Sequence, residues 1–231
     1  MTRLRAVMLD FYGTLVHEDD VSIAAITAQI HHLSPRPVTA TEVGLFWYES
    51  FSGWCNRSHG EAFVTQRDLG IESLRETLTE FEVNLAPETV IAPQFAHWIA
   101  PPLFPDTVTF LDSLKSVGIS TLVVSNVDRA EIELAIALHG LEFDGVVTSE
   151  DARSYKPRPE MFMLALELLS FDRQAVLHVG DSRSNDVGGA KALGIPVAWL
   201  NRSGKSTAGE PVADYVVRDL GELQGIVDLM I

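Results

Sequence analysis

Four short stretches bring chemically capable side chains together in a fixed order: Asp10-Phe11-Tyr12-Gly13-Thr14, Ser125-Asn126, Lys156-Pro157-Arg158-Pro159, and Gly180-Asp181-Ser182-Arg183-Ser184-Asn185-Asp186. Each has an ordinary reading when taken alone. A Ser-Asn pair after a strand is common turn chemistry, the Lys-Pro-Arg-Pro run suits an exposed loop before a helix, and Asp186 suits a first-turn acid serving a helix dipole. Asp10, however, ends an apolar run, where an acid is placed for chemistry rather than for packing. Thr14 and Ser125 offer hydroxyls, and Gly13 lets the backbone turn sharply so that N–H groups face an anion. Tyr12 is the odd residue: it sets a phenol two residues after the acid, where a stronger proton donor would be useful.

These residues need elements to position them. Apolar runs of β character recur at 4–10, 120–126, 143–150 and 175–181, with 195–201 and 213–217 as outer strands, and helical patterns follow them. Alternating strands and helices predict an α/β fold, a Rossmann-like parallel sheet with helices on both faces. Ligands of such sheets gather outside the carboxyl ends of the strands, which is where Asp10, Ser125, Asn126 and Asp181 fall. Residues 17–98 read differently. Apolar residues at helical spacing over 19–33, 39–54 and 70–83, with no strand between, predict a helical insertion. Thr39 or Thr41 is the expected cap of its second helix, after the Ser34-Pro35-Arg36-Pro37 break. The expected division is a core of residues 1–16 and 99–231 with a helical insertion at 17–98, returning through a proline-rich hinge at 99–107 that contains Pro101 and Pro102. Helices are expected to end at Gly118 and Gly140. The Gly204-Lys205-Ser206 triplet lacks the upstream glycine of a phosphate-binding loop and reads as part of a polar loop over 201–211.

Composition narrows the function. A formal charge of −15 argues against nonspecific binding to nucleic acid or to anionic membrane. Cys55 is the only cysteine, so no internal disulfide is expected and a reducing, cytoplasmic setting is. It reads as an ordinary half-buried thiol. No apolar run reaches the roughly 18 residues of a membrane span, and the N-terminus lacks a signal-peptide pattern. The expected partner is a small molecule; oligomeric state stays open.

The ordered set of four stretches resembles the haloacid dehalogenase superfamily of hydrolases, over about residues 4–16 and 100–220. The insertion sits where that superfamily carries a helical cap. The resemblance implies that Asp10 is the nucleophile, that Ser125 holds the substrate's anionic group with Thr14, Gly13, Tyr12 and Asn126 around it, and that Lys156 balances charge. It also implies that Asp10, Asp181 and a backbone carbonyl at Tyr12 bind Mg²⁺, with Asp186 behind them. The physics agrees: a carboxylate attacks phosphorus or carbon when a lysine and a cation relieve repulsion, and hard oxygen donors suit Mg²⁺.

Tyr12 divides the superfamily's activities. The phosphatase branch has a second aspartate there, whose proton-transfer role is worth about 10²–10⁴-fold. The dehalogenases have tyrosine, because a halide leaves without a proton, but typically carry serine at the position of Asp181 and work without metal. Asp181 beside Asp10 with no cation would raise one carboxyl's pKa and spoil the nucleophile. The expectation is therefore a Mg²⁺-dependent phosphohydrolase acting on a small phosphate ester or anhydride and lacking the second aspartate. A metal-independent 2-haloacid dehalogenase and a weakly active or inactive ligand-binding relative are the alternatives. Candidates for the halide-receiving cap arginine are Arg36, Arg57 and Arg67, and His59 is a candidate substitute proton donor; a surface role is the ordinary reading of each.

Overall fold

Short all-apolar runs that must be covered on both faces become the strands of a parallel sheet. The computed structural model describes residues 3–209 and 211–231. Its strands are β1 (Ala6–Leu9), β2 (Ser120–Ser125), β3 (Gly145–Thr148), β4 (Val176–Gly180), β5 (Val197–Leu200) and β6 (Tyr215–Val217). All neighbours pair in parallel, in the order β3-β2-β1-β4-β5-β6. The chain moves outward on one side of β1 to β2 and β3, then returns to β4 on the other, so the carboxyl ends of β1, β2 and β4 meet at a topological switch point.

Between β1 and β2 run α1 (Asp20–Leu33), α2 (Ala40–Arg57), α3 (Gln66–Glu80), α4 (Pro87–Val90), α5 (Ala92–Ile99) and α6 (Thr107–Ser116). Then come α7 (Arg129–His139) before β3, α8 (Ser149–Ala152) and α9 (Glu160–Leu169) before β4, a π-helical turn (Arg183–Gly188) with α10 (Gly189–Ala192) before β5, and α11 (Leu220–Met230) at the end. The strand period of two divides the core. Val7 and Leu9 pack on one face with residues of α6, α7 and α11, while Ala6 and Met8 pack on the other with residues of α9 and α10.

Residues of α1, α2, α3 and α5 bury a third cluster of their own, including Ile26, Ile30, Val43, Trp47, Leu74, Leu78, Phe95 and Trp98. The capping choice for α2 falls on Thr39: its hydroxyl accepts from the Glu42 N–H while Glu42 accepts from the Thr39 N–H at 2.7 Å, a closed capping box. Two features of this layer differ from the sequence expectation. Helix α3 starts at Gln66, because Thr65 caps it through the Asp68 N–H. Residues 87–99 form α4 and α5, because Pro87 and Pro93 occupy first-turn positions, where a missing N–H costs nothing.

The two segments joining this layer to the sheet are bonded to each other. The His17 N–H donates to the Pro102 carbonyl at 2.8 Å, the Phe104 N–H to the Leu15 carbonyl at 3.1 Å, and Val16 bridges Leu103. A second set of contacts ties α3 to the β2–β3 side of the sheet. Asp128 accepts the N–H groups of Gln66 and Arg67 at 2.8 and 2.9 Å, and the Arg67 guanidinium donates to Glu131 at 2.8 Å. Just before α3, the Tyr155 hydroxyl donates to the Val64 carbonyl at 2.8 Å, and Arg153 exchanges hydrogen bonds with Gly60 at 2.9 Å each.

Candidate active site

Strand β1 delivers Asp10 to the switch point, and the Asp10 N–H continues the ladder to the Val179 carbonyl at 2.8 Å. Directly beside it stands Lys156, 4 % exposed. Its ammonium donates to Asp10 Oδ1 at 2.9 Å, to Asp186 Oδ1 at 2.6 Å and to the Val124 carbonyl at 2.9 Å, so all three protons are used and the charge is fixed in place. The side-chain amide of Asn126 sets this lysine: it accepts from the Lys156 N–H at 2.7 Å and donates to the Lys156 carbonyl at 3.2 Å. Ser125, at the end of β2, is buried and borders the same cavity.

The last stretch resolves the two readings of Asp186. It is fully buried and does both jobs: one oxygen accepts from Lys156 and lies 3.0 Å from His178 Nε2, while the other accepts the N–H of Ser182, the cap of its own helix, at 3.0 Å. Gly180 makes room for it: a Cβ there would lie 2.1 Å from Asp186 Cγ. Asp181 is aimed by Trp199, whose indole N–H donates to the Asp181 carbonyl at 2.8 Å. Gly13 is required twice over, by its φ of +78° and because a Cβ would stand 2.6 Å from Asp181 Cγ and 2.8 Å from Glu18 Oε1. Carboxylate oxygens of Asp10, Asp181 and Asp186 lie within 4.8 Å of one another.

Charge is unevenly shared among these acids. Burial pushes Asp186 upward, but Lys156 and then His178 outweigh it and hold its pKa at about 2. Burial raises Asp10 above the usual carboxylate range, with the Lys156 charge opposing it in part. Lys156 is held above its ordinary value, the charges of Asp10 and Asp186 outweighing burial. Asp181 has no such partner. Burial, then the charges of Glu18 and Asp10, lift its pKa to about 9. Among the described residues no protein donor reaches its carboxylate.

Tyr12 borders the cavity, but its hydroxyl is not turned to Asp10. It donates to the Trp98 carbonyl of α5 at 2.6 Å, and burial drives its pKa far above the ordinary phenol value. Thr14 is fully buried under the loop, its Oγ1 without a hydrogen-bond partner, and does not border the cavity.

The cavity, about 830 Å³, lies between the strand ends and the helical layer. Six acids border it (Asp10, Glu18, Asp19, Asp20, Asp181, Asp186) against Lys156, Arg183 and Lys205. Arg183 is committed to the carbonyls of Ala208, Gly209 and Pro211, pinning the 201–211 loop beside the site. Arg36, Arg57 and Arg67 all lie outside it. Arg36 pairs with Glu80, Arg57 sits over the Trp54 ring and Arg67 pairs with Glu131. His59 is exposed and also away from the cavity, and burial raises the Cys55 thiol to about 12, so it carries no thiolate at neutral pH.

The sequence singled out neither His178 nor Glu18. His178 hides in the apolar run of β4, where the only signal is an imidazole at an inward-facing position eight residues before an acid. Glu18 sits in the His-Glu-Asp-Asp run, which reads as a polar helix start.

Comparison with known proteins agrees with this architecture. Over the full length, the chain is 25 % identical to an (S)-2-haloacid dehalogenase of Pseudomonas fluorescens, with 96 % of each chain aligned. It is 29 % identical to the pyrophosphatase PpaX of Bacillus velezensis, covering 96 % of this chain and 95 % of that one. Among solved structures, an L-2-haloacid dehalogenase superposes with a TM-score of 0.81 at 25 % identity, covering 98 % of this chain and all of the other. The profile of the haloacid dehalogenase-like hydrolases matches residues 4–194, which contain all four stretches, and the chain belongs to that family.

Proposed function

We propose that the chain is a Mg²⁺-dependent phosphohydrolase that acts on a small phosphorylated molecule through Asp10, with residues 1–16 and 99–231 as its hydrolase core and 17–98 as a cap over the mouth. The observation that carries this reading is the Asp181 carboxylate, held beside Asp10 with no protein donor and with its pKa lifted to about 9. Two carboxyls so placed need either a proton or a cation between them. Hard oxygens left without N–H or O–H partners are the donor set that Mg²⁺ takes. Asp10, Asp181 and the Tyr12 carbonyl would hold the ion, which when bound supplies charge neutralisation at the phosphoryl oxygens.

The protein's own groups do the rest. Lys156 fixes Asp10 through Oδ1 and leaves Oδ2 to attack phosphorus. The bond from phosphorus to the leaving oxygen breaks, a phosphate forms on Asp10, and water then hydrolyses it, returning the carboxylate and releasing phosphate. Ser125 donates to the phosphoryl oxygens, while the N–H groups of Gly13, Thr14 and Leu15 are spent on the Val16 and Phe11 carbonyls and hold the turn. Asn126 and Asp186 keep Lys156 in register.

Tyr12 supplies no proton to the leaving group, since its own is held by the Trp98 carbonyl. The reading therefore favours leaving groups that depart as weak bases: acyl and aryl phosphates, anhydrides, and alcohols acidified by a neighbouring substituent. The similarity to a pyrophosphatase supports an anhydride-cleaving type of chemistry. Tyr12→Asp is expected to raise kcat on simple alkyl phosphates at least about tenfold, the lower part of what general acid help supplies; an unchanged or lower kcat would count against the assignment.

A second reading, 2-haloacid dehalogenase, is favoured by Tyr12 itself and by the similarity to (S)-2-haloacid dehalogenases. Against it stands the cavity wall. A departing halide is an anion, and the wall contributed by residues 17–98 presents Glu18, Asp19 and Asp20 and no basic residue to receive it.

The deciding experiment is a paired assay on one preparation, with and without EDTA, following phosphate release from aryl and acyl phosphates and halide release from short 2-haloacids. Phosphate release that EDTA abolishes and Asp10→Asn removes supports the phosphohydrolase. Halide release that survives EDTA overturns it in favour of the dehalogenase.

A further inference from the structure

The cap-side wall of the cavity holds two buried acceptors that meet no donor, beside indole and amide donors that are already used. Gln94, on α5, is 9 % exposed and borders the cavity. Its amide orientation is fixed, because Nε2 donates to the Asp19 carboxylate at 2.8 Å; Oε1 is buried and meets no donor. Gln66 Oε1, at the start of α3, is likewise buried without a partner on the same wall. The indole N–H of Trp98 goes to Asp19 at 2.8 Å and that of Trp47 to Ser73 at 3.2 Å, so both rings border the cavity with their donors already used. Asp19 and Asp20 add negative charge at the edge.

A buried acceptor without a donor costs about 1–3 kcal/mol unless a ligand supplies one. A carboxylate or carbonyl brings only acceptors to this wall and leaves that cost standing. A hydroxyl brings one donor together with lone pairs that find no free donor at Gln94 or at either indole. An ammonium brings three donors and no acceptor, and its charge is favoured by the nearby acids and by indole rings, the best cation–π partners.

Resting on the phosphohydrolase reading, we propose that the substrate is a phosphate monoester whose leaving alcohol carries a protonated amine, bound by Gln94 Oε1 and Gln66 Oε1 between Trp47 and Trp98. The same substituent meets the chemical need left by Tyr12, because an ammonium close to the ester oxygen makes the departing alcohol more acidic.

The test compares kcat/KM for 2-aminoethyl phosphate and for 2-hydroxyethyl phosphate, its neutral counterpart of similar size, in the wild type and in Gln94→Met, with an aryl phosphate as reference. The expected wild-type preference for the amine is at least about tenfold, the scale of a hydrogen bond to a charged group, and the preference falls towards one in Gln94→Met. Equal rates on the two esters, or hydrolysis of the aryl phosphate with neither ester accepted, overturns the inference and leaves the phosphohydrolase standing. Failure to release phosphate from any of the three overturns the reading beneath it, and the inference with it. The wild-type ratio decides the matter even if Gln94→Met does not fold.

Discussion

Asp181→Asn is expected to lower phosphate release by at least about 10²-fold while leaving the metal-free protein as stable as the wild type or more so. The reasoning rests on charge. With its pKa at about 9, Asp181 carries a proton at neutral pH when no cation is present, so asparagine replaces a neutral group with a neutral group of the same shape. An isolated surface acid would show no such combination of lost activity and kept stability. The pH dependence has a definite sign. The carboxyl's folded pKa lies above its unfolded value, so its contribution to stability is complete below about pH 4 and is lost as pH rises towards about 9. Asp10, also raised, acts in the same direction. The metal-free wild type should therefore lose Tm between pH 5 and 8, and Asp181→Asn should flatten that slope. Added Mg²⁺ should raise Tm at pH 8 in the wild type far more than in the variant. Thermal melts at three pH values, with EDTA or Mg²⁺, check all of this; an equal Mg²⁺ response in both proteins would remove Asp181 from the ion's ligands.

Lys156→Met is expected to cost both activity and stability. Among the described residues its ammonium is the sole basic partner of the Asp10 carboxylate and one of two partners of Asp186 Oδ1. Methionine fills similar space but leaves buried carboxylates facing each other, and breaking a buried pair by removing one partner costs about 3–5 kcal/mol. Activity should fall by about 10²–10³-fold through loss of the charge that fixes the Asp10 carboxylate through Oδ1. The charge loss also shifts pH behaviour: without Lys156 the pKa of Asp186 leaves its low value near 2 and rises. Low pH, which protonates the stranded acids, should then narrow the stability gap to the wild type. Denaturant melts at pH 5 and pH 8 measure that gap, and a gap that does not depend on pH would show that Lys156 stabilises by packing alone.

Much of this arrangement is legible in the sequence because it is carried by local pattern. An apolar run that stops at an acid, as at Leu9-Asp10, gives both a strand and the end that carries the acid, and the ends of β1, β2 and β4 meet because these strands run parallel. What was not legible depends on contacts far apart in the chain. Pro87 and Pro93 read as breaks because their first-turn role depends on where the helices begin. Lys156 sits in a run that looks like exposed loop and is buried only because Asp10, Val124 and Asp186 converge on it. His178 is invisible in an apolar strand until the turn after β4 folds Asp186 back onto it. The free oxygen of Gln94 is less accessible still, since no pattern says that Asp19, 75 residues away, takes its amide N–H.

The paired connecting segments at Val16 and Leu103 have a mechanical meaning. Two strands of chain bonded side by side resist sliding but permit twisting about their common line, so any opening of the helical layer would use them as a spine, like a book cover. The contacts of Asp128, Tyr155 and Arg153 with residues 60–67, displaced along the sheet towards β2 and β3, are then its clasp. In such a cover the clasp edge parts first and travels farthest, while the edge at the spine scarcely moves. Tyr12 and Trp98 lie near the spine, and Gln66 lies at the clasp. Opening would therefore pull Gln66 away from a bound molecule well before it disturbed the groups around Asp10, giving release an order: the leaving group loses its grip first, and phosphate follows.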